Sequence, residues 1–278
     1  MMTPRLNVTE LQAKASWVRQ QVLEMVTSAG YGHIGGSLSA VEILVALYQG
    51  GLLSHDPRQP DWEQRDRFIM SKGHAAEVLY AVLADEGFFD VELLQTYGKS
   101  GSRLGGHVDH HLPGIEVSTG SLGHGLGLAA GLALAAKLDN KDFLAVALMG
   151  DGECYEGSVW ESAMFGAHHQ LGRLVAIIDR NQQMTLDYTE AANQLEPFTD
   201  KWKAFGWDVI ELDGHSFEEI SQAWSRVREH TTNIPVVLIA NTIKGKGISF
   251  MEGDLHWHHN VPKGEQLEVA IRELATDG

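Results

Sequence analysis

The chain has 278 residues, 44% hydrophobic and 21% charged, which is enough apolar material for one large domain with a full core and too little polarity for a disordered chain. A net charge of −16, from 21 basic and 37 acidic residues, repels nucleic acid and anionic membrane, and an anionic ligand as well, so a site for such a ligand needs its own local positive field. The single cysteine, Cys154, excludes an internal disulfide framework, residues 1–10 lack an apolar signal core, and no uncharged run nears the roughly 20 residues of a membrane span, so a soluble cytoplasmic protein is expected.

In chain order, helices alternate with short apolar strands. Residues 8–29 read as a helix with Leu11, Ala15, Val18, Val22, Met25 and Val26 on one face, ended by the glycine-rich turn 30–36. A second helix is expected over 37–48, with Ser37 as its N-cap. Arg67-Phe68-Ile69-Met70 is a short buried strand, followed by a helix over 75–85. Residues 98–119, with Gly, His and Pro throughout, form a loop, and a small-residue helix able to pack closely covers 123–138. Residues 143–149 are a continuous apolar strand of the kind a buried parallel sheet requires, with a helix over 153–169. Further strands are expected over 174–178, 207–212 and 235–240, a helix over 216–229 between the last two, and a C-terminal helix from Lys263. This repetition implies an α/β fold in one domain: an open, mostly parallel sheet with helices on both faces, binding its ligands beyond the carboxyl ends of the strands.

Two segments at such ends carry chemistry. Gly150-Asp151-Gly152-Glu153-Cys154-Tyr155-Glu156-Gly157 follows one strand, and Asp179-Arg180-Asn181-Gln182-Gln183 ends the next. A right-handed crossover makes these strands near neighbours, so Asp151 and Asn181 can converge. A carboxylate, an amide oxygen and a nearby backbone carbonyl make a partial oxygen shell; Mg²⁺ is usually held by few protein ligands, with phosphate oxygens completing its octahedron. Gly152 lets an anion approach the backbone, and the N-terminus of helix 153–169 offers N–H groups and a positive dipole end. A lone Gly-Asp-Gly reads more simply as a turn and N-cap; the amide at the next strand end shifts the balance towards a cation site.

Gly150-Asp151-Gly152 through Asp179-x-Asn181 resembles the thiamine-diphosphate signature, and its details are similar to those of transketolases. Four further segments agree, in the family's order and across most of the chain: Gly32-His33-Ile34-Gly35-Gly36, Ser71-Lys72-Gly73-His74-Ala75-Ala76, Gly105-Gly106-His107 and Thr119-Gly120-Ser121-Leu122-Gly123-His124-Gly125. His124 stands where the family usually has glutamine, Ile34 replaces a common proline, and the 244–258 region aligns less securely.

The resemblance implies a thiamine-diphosphate-binding fold that uses thiamine diphosphate with Mg²⁺ (or Ca²⁺ or Mn²⁺). It makes Asp151 and Asn181 side-chain ligands of the metal and the Gln183 carbonyl the third protein ligand. It places Gly152 and Glu153 beside the diphosphate, Gly120 and Leu122 at the thiazolium, His74 and His258 on the diphosphate side with Lys244 in reach, and His33 and His107 facing substrate. These four histidines are the candidate catalytic residues, imidazole being the group that moves protons near neutral pH. Trp257 favours His258 over His256 or His259. Glu156 and Glu161 match acidic residues at a subunit contact. His110, His111, His168, His169, His256 and His259 are read as surface or satisfied residues, a zinc site on His107, His110 and His111 lacks a convincing partner set, and Cys154 is a small helix-start residue.

The implied reaction is transfer of a two-carbon ketol unit from a ketose (phosphate) to an aldose (phosphate). In this family the thiazolium ionises with help from a glutamate of a pyrimidine-binding domain, which usually follows on the same, far longer chain. A partner is therefore expected: a C-terminal transketolase subunit supplying that domain, in an α2β2 heterotetramer. The sugar pair is not legible; pentose-phosphate sugars are the default, with sulfonated or branched ones open. The alternatives are half of a 2-oxo-acid dehydrogenase or deoxyxylulose-phosphate synthase, a nicotinamide dehydrogenase on the weak Gly125-x-Gly127-x-x-Ala130 pattern, and a non-catalytic cofactor-binding subunit.

Overall fold

A computed structural model of the chain describes residues 6–276; the start of the 1–10 segment and the last two residues lie outside the described residues. Strands β1 (Arg67–Met70), β2 (Ala145–Gly150), β3 (Leu174–Arg180), β4 (Asp208–Asp213) and β5 (Val236–Asn241) form one sheet in the order β1-β2-β3-β5-β4. All four pairings are parallel, and Gly150 stands opposite Asp179. The helices are α1 (Val8–Ala29), α2 (Ile34–Leu38), α3 (Val41–Leu47), α4 (Ala76–Glu86), α5 (Gly125–Leu138), α6 (Gly157–His168), α7 (Thr189–Ala192), α8 (Phe198–Ala204), α9 (Phe217–Glu229) and α10 (Glu265–Thr276).

The sheet separates two cores, because alternate side chains of a strand point to opposite faces. Val146, Leu148, Val175 and Ile177 meet α1 to α4, α9 and α10, whereas Ala147, Met149, Ala176 and Ile178 meet α5, α6 and α8. Local chemistry sets the ends of the longest helix: Asn7 and Glu10 make a reciprocal capping box on α1, and Gly30 ends it at φ 74°.

Two expected helices are broken, each for a reason that bears on the site. Residues 37–48 split into the end of α2 and α3, because the Ser39 hydroxyl donates to the Gly36 carbonyl at 3.1 Å and the Asp179 carboxylate at 2.6 Å. Ser37 lies inside α2 and is not its cap; its hydroxyl donates to Glu77 instead. Residues 153–169 split into a 3₁₀ turn (Gly152–Tyr155), an extended Glu156 and α6 from Gly157. The N-terminus of α6 therefore starts a turn beyond Gly152, and the expected continuous helix at the loop is not formed. The carboxylates of Asp151 and Glu153 bend back onto backbone N–H groups here and hold the tight turn. The short helix α8 and the 3₁₀ turns Val91–Thr96 and Leu255–His258 were not anticipated.

Candidate active site

Every segment singled out by motif comes to the carboxyl edge of the sheet or to a loop beside it. Asp151 ends β2, and Asn181 follows β3 on the neighbouring strand. Asp151 is 1% exposed. Its Oδ1 accepts from the Gly152 N–H at 2.8 Å and its Oδ2 from the Gln182 N–H at 2.6 Å, so the two loops touch. Asn181 Oδ1 accepts from the Gln183 N–H at 3.1 Å, and the Gln183 amide donates to the Gly253 carbonyl at 2.6 Å, pinning the second loop. Burial, with the nearby Asp179 charge, pushes the Asp151 carboxyl up to about 7. The Arg180 guanidinium stands 3.9 Å from Oδ2 and offsets part of this rise; a buried carboxylate held against the Asn181–Gln183 loop is the kind of oxygen donor a hard divalent cation takes.

Glu153 is arranged differently. Its carboxylate accepts from Gly123 N–H at 2.9 Å, Gly150 N–H at 3.2 Å and the Ser71 hydroxyl. The residue counted among the cofactor contacts thus spends its oxygens inside the protein, tying the loops after β1 and β2 to the 119–124 loop. That loop carries Gly120 and the half-buried Leu122. At φ +145°, a Cβ on Gly120 would stand 2.8 Å from the His107 ring. Cys154 is buried, with its thiol pushed up by burial, and offers no nucleophile.

The histidines converge. His33 lies with ring centroids 5.2 Å from His74, 5.6 Å from His107 and 5.7 Å from His258. His259, read as a surface residue, stands nearer still at 4.1 Å. Burial first, then neighbouring imidazoles and lysines, lowers His33 to about 4 and His258 to about 3, and holds His74 well below its ordinary value. These three rings are neutral near pH 7. Nδ1 of His33 and of His258 are buried without a hydrogen-bond partner among the described residues. His124, by contrast, is exposed at the start of α5, and His110 and His111 stay on the 98–119 loop surface beside Asp109.

Several residues that position the site escaped sequence reasoning. Glu77, fully buried in α4, accepts from the His33 N–H at 3.0 Å, the Ser37 hydroxyl at 2.7 Å and the Tyr97 hydroxyl at 2.6 Å. A carboxylate inside an apolar helix was the available signal. Lys72 is buried on the Asp179 carboxylate and donates to the Gly36 carbonyl at 2.9 Å. Lys244, which the sequence already placed in reach of the diphosphate, is 3% exposed with no ion-pair partner among the described residues, and burial followed by the Lys72 charge lowers it to about 8. The buried Asp151 carboxylate, the unpaired buried Lys244 ammonium and the orphaned imidazole nitrogens fit a diphosphate accompanied by a divalent cation.

The family described as "Transketolase, thiamine diphosphate binding domain" matches residues 11–275. This chain belongs to the transketolase family. It carries that family's thiamine-diphosphate-binding domain and has its α/β fold. A relative from Phocaeicola vulgatus, named as one subunit of an apulose-4-phosphate transketolase, is 46% identical over 270 residues, 97% of this chain and 95% of the relative. One from a Clostridium species, "6-deoxy-6-sulfo-D-fructose transketolase subunit SqwG", is 43% identical over 270 residues, 97% of this chain and 98% of the relative. The solved transketolase of Campylobacter jejuni superposes with a TM-score of 0.90 at 30% identity, covering 97% of this chain and 43% of that one. Membership answers the nicotinamide alternative, and so does structure: Gly125 opens α5 after a loop, with its N–H donating to the Ser71 hydroxyl at 3.1 Å. Among the described residues no helix of this transketolase chain is long and apolar enough to cross a membrane.

Proposed function

We propose that this chain is the N-terminal subunit of a two-subunit transketolase, moving a two-carbon ketol unit from an anionic ketose to an aldose. The observation that carries the reading is the buried Asp151 carboxylate held against the Asn181–Gln183 loop. In this reading Mg²⁺, Ca²⁺ or Mn²⁺ is ligated by the side-chain oxygens of Asp151 and Asn181 and by the Gln183 carbonyl. Gly152 gives the diphosphate access to the backbone, and the buried Lys244 adds positive charge beside it. Gly120 and Leu122 border the thiazolium.

Thiamine diphosphate, when bound, supplies the electron sink that breaking a carbon–carbon bond beside a carbonyl demands. The chain's own residues do the rest. His33, neutral near pH 7, and His107 accept and return protons at substrate hydroxyls, while His74 and His258 hold the diphosphate side. Glu77 orients His33 through its backbone N–H.

The second subunit supplies the pyrimidine-binding domain and its glutamate, in an assembly of two copies of each chain in the cytoplasm. Two features support it: near full-length relatives carry the word "subunit" in their names, and the Campylobacter chain extends well beyond the matched region. Glu156 and Glu161, both exposed, lie at the subunit contact in this reading. The sugars named for the two relatives differ in skeleton and share an anionic group, a phosphate or a sulfonate, which supports an anionic ketose donor.

The test is a co-purified complex of this chain with its pyrimidine-domain partner, assayed with thiamine diphosphate, Mg²⁺, a phosphorylated or sulfonated ketose and an aldose acceptor. Formation of the two-carbon-longer ketose is expected. Turnover of pyruvate without ketol transfer would overturn the assignment.

A further inference from the structure

Residues 255–260 sit beside α2. Trp257 is buried, its ring 5.1 Å from Phe250, and its carbonyl would lie 2.8 Å from a Cβ on Gly35, so only glycine permits this approach. The anchor fixes the two residues that follow. His258 turns inward, 5.7 Å from both His33 and His74. His259 stays exposed yet packs at 4.1 Å on the ring of His33, which is 8% exposed. The His259 side chain has no hydrogen-bond or ion-pair partner among the described residues. One nitrogen from each of His33, His258 and His259 lies within 4.8 Å of the others.

An imidazole held in place by packing, left without a polar partner and set on the outer side of a buried neighbour is arranged for a ligand that enters from solvent. Resting on the function proposed above, we infer that His259 is a third substrate-facing imidazole beside His33 and His107, binding sugar hydroxyls farther from the reacting carbon than those met by His33. Its outer position assigns it to recognition and sugar selectivity more than to proton transfer. An imidazole donates at one nitrogen and accepts at the other, which suits a vicinal diol.

The test uses the two-subunit complex and compares wild type, His259→Ala and His259→Gln. The alanine variant is expected to raise KM for the ketose donor about five- to tenfold with kcat within about twofold, the loss of a hydrogen bond made equally in ground and transition states. The glutamine variant should recover part of that loss, and thiamine diphosphate affinity should not change. Unaltered KM for both ketose and aldose would overturn the inference, as would a joint fall in kcat and cofactor affinity, which marks a structural residue. Zn²⁺ binding that depends on His259, with unaltered sugar KM, would make the imidazole trio a metal site and overturn it too. Absence of ketol transfer by the wild-type complex would instead bring down the function itself.

Discussion

At the scale of single residues, Asp151 controls how the site responds to pH. Its folded-state value near 7 lies above the ordinary 3.8, so without a cation its contribution to stability is present below about 3.8 and is lost as pH rises through 7. In the proposed reading a cation bound by Asp151 reverses this, because it requires the ionised carboxylate. Affinity for thiamine diphosphate with Mg²⁺ should therefore fall about tenfold per pH unit below 7 and level off above it. In thermal-shift titrations Asp151→Asn should bind weakly and lose this slope; a slope retained by the variant would contradict the role given to Asp151. The histidines have the opposite sign. With His33 near 4 and His258 near 3, their neutral forms stabilise the fold above the ordinary 6.5, and that contribution is lost as pH falls towards 4. The difference in Tm between pH 6.5 and 4 should accordingly be smaller for His33→Asn than for wild type. The placement of Asp151 and Asn181 at the ends of neighbouring strands was legible in sequence, because each follows an apolar run. His259 was not, because its place depends on the Trp257 anchor and on a long-range approach to α2 that no local pattern encodes.

Among the elements, a buried ion pair ties several of the loops together. Lys72 follows β1 and Asp179 lies near the end of β3, both essentially without solvent, and Asp179 also accepts from Ser39 and Thr242. These contacts connect the loops after β1, β3 and β5 to the end of α2. Removing one member of a buried pair strands the other charge and typically costs about 3–5 kcal/mol. Lys72→Met should lose stability of that order in urea unfolding, whereas Lys141→Met, whose pair with Glu63 is exposed, should lose less than about 1 kcal/mol. Equal losses would contradict a special role for the buried pair. The long helices and all five strands were readable from period and apolar runs, within a residue or two at their ends. The breaks at Ser39 and Glu156 were not, because buried side-chain hydrogen bonds cause them. Helix α8 is seven residues long, too short to show a period, and is held by burial of Phe198 and Trp202.

For the whole molecule, the outer surface of α5 and α6 is uneven. These two helices leave Leu128, Leu138, Met164 and Phe165 exposed on a chain of net charge −16, with Glu156 and Glu161 nearby in sequence. An exposed apolar group rimmed by charge is the usual mark of a contact surface. Met164→Asp should leave the far-ultraviolet circular dichroism of the chain unchanged and shift the complex to smaller species in light scattering; an intact assembly would place the contact elsewhere. The proposed function rests most heavily on a cation held between the ends of β2 and β3 and carrying the diphosphate. Electron–nuclear double resonance of Mn²⁺ in the assembled complex loaded with thiamine diphosphate tests it most directly. ³¹P coupling is expected in the wild type and should disappear in Asp151→Ala; bound Mn²⁺ without ³¹P coupling, or coupling that survives the substitution, would rule out such a cation.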